Sequence, residues 1–139
     1  MKKRSIKKIL AVVMLVMTVV SMTTITSYAA KKNYSFAVTT SQNKGAAFSA
    51  GNAKDDNEQN AYVVTQSGNI VNSDLFFMAV YKKAVYEDSN RVTGWKRITS
   101  NSYTYPPIPY TTYRGKNSTN YLCGDTDKHS VSVEGYWWS

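Results

Sequence analysis

Few residues of this chain are suited to covalent or metal chemistry, because its 139 residues include one cysteine, Cys123, and one histidine, His129. One cysteine excludes an intramolecular disulfide framework, so packing alone must stabilise the domain. One histidine excludes a zinc site with several histidine ligands and leaves few catalytic arrangements. We therefore predict a protein without enzymatic activity or catalytic residues, and with no metal ion or other cofactor.

Cys123 and His129 flank the segment GDTDK (124–128), which has the composition of a turn. Across such a turn the two side chains can form a thiolate–imidazole pair. No residue that would orient the imidazole is identifiable, so we favour a buried thiol and an exposed histidine. An intermolecular disulfide is the alternative for Cys123.

The chain also has no apolar run long enough to cross a bilayer comfortably. Residues 1–8 are mostly basic, residues 9–20 are apolar, and Ser27 and Ala29 supply the small side chains that signal peptidase reads. We predict a signal peptide over residues 1–29, cleaved after Ala29 or alternatively after Ala30, and a secreted, extracellular protein. No cysteine lies directly after the apolar run, near the predicted cleavage site, which disfavours a lipoprotein. An uncleaved membrane anchor is the remaining alternative.

Positive charge is scarce once the leader is removed. The whole chain carries a formal net charge of +8, but five of its 17 basic residues lie in the leader and all nine acidic residues lie after it. Twelve basic residues against nine acidic ones leave a net charge of +3 for residues 30–139. A nucleic-acid partner would need a basic stripe or a recognisable motif, and neither is present. A mild positive charge favours partners on an anionic surface.

Residues 30–139 have the length of one domain and the composition of an all-β fold. Tyrosine, threonine, valine and serine dominate, leucine is rare, and no segment keeps an amphipathic helical period over three turns. The apolar run 75–80 indicates a central strand, with a short buried helix as the alternative. We predict a small antiparallel β-sandwich of about seven strands, at 33–40, 46–51, 60–67, 74–87, 91–99, 110–116 and 130–138.

Two of the three tryptophans lie in the C-terminal segment GYWWS. If residues 130–138 form one strand, Trp137 points to the core with the two preceding valines, while Tyr136 and Trp138 share the opposite face. A bulge at Gly135 would exchange these roles. We expect one tryptophan to anchor the strand. The other is a candidate binding residue or, as the alternative, packs against a neighbouring strand.

The segment RVTGWKR contains the third tryptophan, Trp95, between arginines. On a regular strand Arg91, Thr93, Trp95 and Arg97 share a face, so that guanidinium groups flank the indole and can bind an anionic polymer. The glycine before Trp95 can interrupt this register. The sequence therefore provides five candidate binding residues: Arg91, Trp95, Arg97, Tyr136 and Trp138.

Two further segments are distinctive in composition, one because it is acidic and the other because it is rich in proline. The acidic segment KDDNEQN (54–60) offers oxygen donors of the kind that calcium prefers, but it lacks the glycine and the glutamate of an EF-hand loop. We predict a solvated loop there. The segment YPPIPY (105–110) has polyproline character, and we interpret it as a stiff crossover between strands.

Three short motifs carry a resemblance to known proteins: DDNEQNAYVV (55–64), YRGKNS (113–118) and VSVEGYWWS (131–139). Together with the leader and the tyrosine-rich β domain, they resemble a family of small secreted proteins of Gram-positive bacteria, defined as a domain of unknown function. That resemblance implies a fold and a location but no activity. In its architecture and aromatic C-terminal end, the chain is also similar to secreted β-sandwich bacteriocins of the lactococcin type.

Two functions follow as expectations. In the first, the protein is a bacteriocin-like antimicrobial or envelope-binding factor whose cationic and aromatic surface binds an anionic cell-envelope polymer, a wall precursor or a membrane surface. In the second, it is a cell-surface structural or interaction module that binds carbohydrate through exposed tyrosines and tryptophans. The architecture favours the first.

Overall fold

The computed structural model describes residues 30–40, 45–71 and 74–139. The predicted signal peptide, residues 1–29, lies outside this part of the chain. Within the described residues, no helix has the length and apolar character needed to cross a membrane.

The described residues form ten strands and one 3-10 turn at Asp88–Asn90, which confirms the predicted all-β class. The apolar run 75–80 is a strand and not a helix. The strands are β1 (Lys32–Val38), β2 (Ala46–Phe48), β3 (Asn52–Ala53), β4 (Asn60–Gly68), β5 (Phe76–Tyr81), β6 (Lys96–Arg97), β7 (Tyr103–Thr104), β8 (Ile108–Pro109), β9 (Thr119–Thr126) and β10 (Val131–Trp138).

The strands pair into two antiparallel sheets. The first sheet has the order β1-β10-β4-β7, and β8 also pairs with β4. The second has the order β2-β9-β5-β6, and β3 also pairs with β9. These sheets form the β-sandwich that the sequence predicts, with ten short strands in place of about seven.

The main core lies between the sheets and is built from alternate strand residues. On β1, Tyr34, Phe36 and Val38 are buried while the residues between them are exposed, as the period of two requires. The second sheet contributes residues of β5 and β9 to the same cluster. The largest fully buried side chains of this core are Trp137, Phe36, Phe76, Met78, Ile98, Leu122, Val38, Val63, Val80 and Val131.

The C-terminal strand has the predicted orientation. Trp137 is fully buried in the main core, whereas Tyr136 and Trp138 lie on the outer face of the first sheet and are partly exposed. A bulge does occur opposite Gly135, but its extra residue is Gln66 on β4, so the alternation of β10 is preserved. Gly135 allows this close approach, because a Cβ there would overlap the carbonyl oxygen of Val64.

The prediction of a turn at GDTDK was wrong for residues 124–126, which belong to β9 and lie between β2 and β5, whereas the bend occupies residues 127–129, before β10. Gly124 is needed inside this strand, since a Cβ would lie 2.9 Å from both the Phe36 and Phe76 rings. The predicted strand at 110–116 was also wrong. There the Arg114 amide donates to the Gln59 side chain in place of a strand partner.

Other predicted strands are shorter than expected. The strand at 74–87 ends at Tyr81, after which the chain forms an exposed loop and the 3-10 turn. The strand at 91–99 is reduced to β6 and single bridges, from Arg91 to Tyr81 and from Thr93 to Tyr110. The prolines of YPPIPY lie around β7 and β8, beside β4, where a sheet edge tolerates residues without an amide hydrogen.

Replacing Trp137 by alanine should lower the free energy of unfolding by about 3–5 kcal/mol, because a fully buried indole leaves a cavity between the sheets. Trp138→Ala should cost much less, because its ring is on the outer face. Urea unfolding followed by circular dichroism measures both. Equal losses would contradict the orientation of β10.

Candidate functional site

The five predicted binding residues lie on two different surfaces. Tyr136 and Trp138 are on the outer face of the first sheet, and Arg91, Trp95 and Arg97 are on the outer side of the second. The main core separates these two faces. They therefore cannot act together on one small ligand.

The first surface is a stack of rings closed by a lysine. Trp138 is stacked on Tyr62 of β4, with ring centroids 5.2 Å apart, and on Tyr136, at 5.8 Å. The ammonium group of Lys31 lies 3.4 Å from the centroid of the Tyr136 ring. These rings therefore already contact one another and a cation. This arrangement agrees with the alternative prediction for Trp138, that it packs against a neighbouring strand.

The second surface is an aromatic layer on the outer face of the second sheet. We call it the Trp95 surface and define it as Phe48, Tyr81, Tyr86 and Trp95. Its rings pack over small buried residues of the sheet, which are Ala46, Ala79 and Cys123. The loop after β5 brings Tyr86 back to this face, where it packs against the same cluster. Tyr81 and Tyr86 lie 6.1 and 6.3 Å from Trp95, respectively.

The predicted arginine–tryptophan–arginine ladder is only partly formed. The Arg91 guanidinium lies 5.4 Å from the Trp95 ring centroid, in a cation–π contact, and also pairs with Asp88 at 3.4 Å. Thr93 does not extend the ladder, since it is buried and its hydroxyl accepts the Val80 amide. Arg97 is exposed and pairs with Phe77 on β5.

Two clefts open on either side of Trp95. The carboxylate cleft, of about 200 Å³, is lined by Leu75, Phe77, Trp95, Asp125 and Asp127. The loop cleft, of about 420 Å³, is lined by Tyr81, Tyr86, Glu87, Asp88 and Trp95. No Lys or Arg is among the described residues that line either cleft, so the charged side chains of both linings are carboxylates.

Asp125 is the most constrained carboxylate of this surface. Its Oδ2 accepts the Tyr86 hydroxyl, which holds the carboxylate beside the aromatic layer. Burial raises the pKa of Asp125, and the charge of Asp127 adds to this effect, while the bond from Tyr86 opposes it. Burial and the bond to Asp125 also raise the pKa of Tyr86, so its hydroxyl is a donor at neutral pH.

The sequence did not identify Asp125, Asp127 or Tyr86 as site residues. Asp125 and Asp127 belonged to the segment interpreted as a turn, and Tyr86 to the far end of an overlong strand. An aspartate that alternates with buried residues on β9 is the signal that a correct strand assignment would have provided.

Cys123 and His129 have different partners and do not form the thiolate–imidazole pair considered as an alternative. Cys123 is a free, fully buried thiol beneath the Trp95 surface, as expected for a small apolar residue, and burial raises its pKa. His129 is exposed, and its Nδ1 lies 2.7 Å from Oδ1 of the buried Asp74. The imidazole therefore binds a carboxylate on another loop.

The acidic segment is organised around a cation of the protein itself. Lys54 is buried, donates to the carbonyl of Glu58 at 2.7 Å, and lies 3.5 Å from Asp56 and 5.0 Å from the Tyr110 ring centroid. The ammonium thus occupies a position between oxygen atoms of the loop. The part of the chain that the structure describes contains no group of three or more His, Cys, Asp or Glu residues placed to hold a metal ion.

Comparison of the chain with known protein families, with characterised proteins and with solved structures gives no match.

The Cys123 thiol should report on the aromatic layer above it. In the folded protein we expect it to react slowly with a thiol reagent at pH 8, because it is buried and its pKa is raised. Trp95→Ala should accelerate the reaction several-fold, whereas Trp138→Ala, on the opposite face, should not. Fast stoichiometric labelling of the wild type would contradict this packing.

Asp125 should make stability depend on pH. Because its pKa is higher in the folded than in the unfolded chain, its charged form lowers stability, and this loss disappears as the pH falls through the folded pKa. Asp125→Asn, whose amide oxygen can still accept the Tyr86 hydroxyl, should be more stable than the wild type at pH 7. The difference should shrink toward pH ~4. A difference that grows on acidification would refute this sign.

Proposed function

We propose that this chain is a secreted, non-enzymatic β-sandwich module that binds carbohydrate at the cell surface through the Trp95 surface. The observation that carries this proposal is the partly exposed indole of Trp95 between two clefts bordered by carboxylates. Aromatic rings with a few fixed polar groups are the usual composition of a small-ligand site.

The chemistry of a sugar matches both components. One face of a pyranose ring presents C–H groups that pack on an indole or phenol ring, and its hydroxyl groups donate to carboxylates. Trp95 and Tyr86 supply the rings, and Asp125 and Asp127 supply acceptors at the edge of the same layer. A rigid sheet below the rings keeps this arrangement ordered before the ligand binds.

The charge distribution favours a glycan without negative charge over an anionic polymer at this surface. Arg91 is already engaged by Asp88 and Trp95, so less of its charge is available to a phosphate or carboxylate ligand. The carboxylates of both clefts would repel such a ligand. Arg97, Lys82 and Lys83 are exposed outside the clefts and can contribute only at longer range.

An antimicrobial, envelope-binding role is the second candidate. It is favoured by the other outer face, where Lys31 lies against the Tyr136–Trp138 stack, and by the architectural similarity to lactococcin-type bacteriocins. The two roles share a binding step at the envelope. They differ in whether the bound cell loses viability.

Protein purified from the medium of an exporting Gram-positive host should bind neutral polysaccharide and isolated walls, and Trp95→Ala should reduce its affinity roughly tenfold. Trp138→Ala is the matched control on the opposite face and should bind like the wild type. Because this polysaccharide probe is neutral, its binding should change little between low and high salt.

The competing outcomes are distinct. Binding that survives Trp95→Ala but is abolished by salt would replace the carbohydrate proposal with an anionic polymer. Viability of Gram-positive cells, scored with the same samples, separates the two roles, because killing at binding concentrations would favour the antimicrobial candidate.

A further inference from the structure

We infer that the carboxylate cleft selects amino sugars, so that the ligand of the Trp95 surface is a glycan with free primary ammonium groups. This inference rests on the proposed carbohydrate function and specifies its ligand. It depends on a cavity lined by two kinds of side chain, which are the apolar or aromatic Leu75, Phe77 and Trp95 and the carboxylates of Asp125 and Asp127.

The cleft has a size suited to part of a sugar. A volume of about 200 Å³ corresponds to about seven water molecules at ~30 Å³ each, which is enough for one substituted edge of a pyranose ring. Phe77 pairs with Asp125 across β5 and β9, so an apolar floor and a carboxylate are direct neighbours on the sheet. A ligand that packs on Phe77 therefore lies next to the Asp125 carboxylate.

The negative charge of this cleft has no partner within the described chain. Neither Asp125 nor Asp127 forms an ion pair with a described Lys, Arg or His. Arg97 is separated from Asp125 by Phe77, which pairs with Arg97 on one side and with Asp125 on the other. In the loop cleft, by contrast, Asp88 is paired with Arg91. Among the described residues, the carboxylate cleft therefore has two carboxylates without an ion pair, and the loop cleft has one, Glu87.

An ammonium group can interact with both the carboxylates and the aromatic lining of the carboxylate cleft. It is attracted by the carboxylates and by the face of the indole, and its three N–H groups can donate to Asp125 and Asp127. The Tyr86 hydroxyl holds Asp125 in place, which lowers the entropic cost of that contact. A neutral acetamido group at the same position would leave the charge of the cleft uncompensated.

The test compares oligomers of glucosamine with oligomers of N-acetylglucosamine of the same length, at a pH at which the free amino groups are charged. Full-length secreted protein is titrated calorimetrically with each probe at two salt concentrations. We expect both to bind, with a preference of roughly fivefold for the glucosamine oligomer that decreases at high salt.

Variants assign the preference to the cleft. Asp125→Asn with Asp127→Asn should make the two oligomers bind with equal affinity, because each amide keeps an acceptor oxygen for a sugar hydroxyl but carries no charge. Asp88→Asn, the matched removal of a carboxylate from the loop cleft, should keep the preference. Circular dichroism and the slow reaction of Cys123 show whether each variant is folded.

Each outcome supports or overturns one of the two proposals. Equal binding of both probes, lost in Trp95→Ala, would retain the carbohydrate function and overturn the selection of amino sugars. A preference unaffected by the double variant would also overturn it, since the charge would act elsewhere. Binding of neither probe would overturn the selection of amino sugars, and the binding of neutral polysaccharide and walls would then decide the carbohydrate function. Binding indifferent to Trp95→Ala would overturn both.

Discussion

Phe36 of β1 and Phe76 of β5 both pack against Gly124 of β9, and the rest of the sandwich depends on this close packing. The two rings come from different sheets, and a Cβ at Gly124 would lie only 2.9 Å from an atom of each. Without disulfides, the domain depends on such close packing between its sheets. Gly135 has the same role within the first sheet, where β10 approaches β4 more closely than a larger residue would permit.

The same strand connects the core to the candidate site. Gly124 faces inward, so its neighbours Cys123 and Asp125 face outward, where one lies beneath the aromatic layer and the other borders the carboxylate cleft. A slip of one residue in the pairing of β9 would therefore displace both the packing of Phe36 and Phe76 against Gly124 and the carboxylate cleft. Core packing and the geometry of the Trp95 surface are determined by one register.

The sequence predicted most of what depends on alternation along a single strand. The period of two in β1 and β10 identified Phe36 and Trp137 as core residues, and the frequency of tyrosine and valine indicated the all-β class. It could not identify β9, because glycine and aspartate inside a strand have the same local signature as a turn. Their strand conformation is imposed by partners on β2 and β5, far away in the chain.

The sequence also predicted only part of the candidate site, namely Trp95. Trp95 is conspicuous as an isolated aromatic between arginines, whereas the carboxylates beside it come from β9 and from the loop after β5. Their proximity depends on the pairing of three strands. For the same reason, the sequence grouped Trp95 with Tyr136 and Trp138, although the two sheets place them on opposite faces.

The most direct test of this account is to record the three indole N–H signals in a nuclear magnetic resonance spectrum while a glucosamine oligomer is added. Single tryptophan variants assign the signals to Trp95, Trp137 and Trp138. The account predicts that the Trp95 signal shifts while that of Trp138 stays in place. A shift of the Trp138 signal alone, or of none, would contradict the assignment of the binding site.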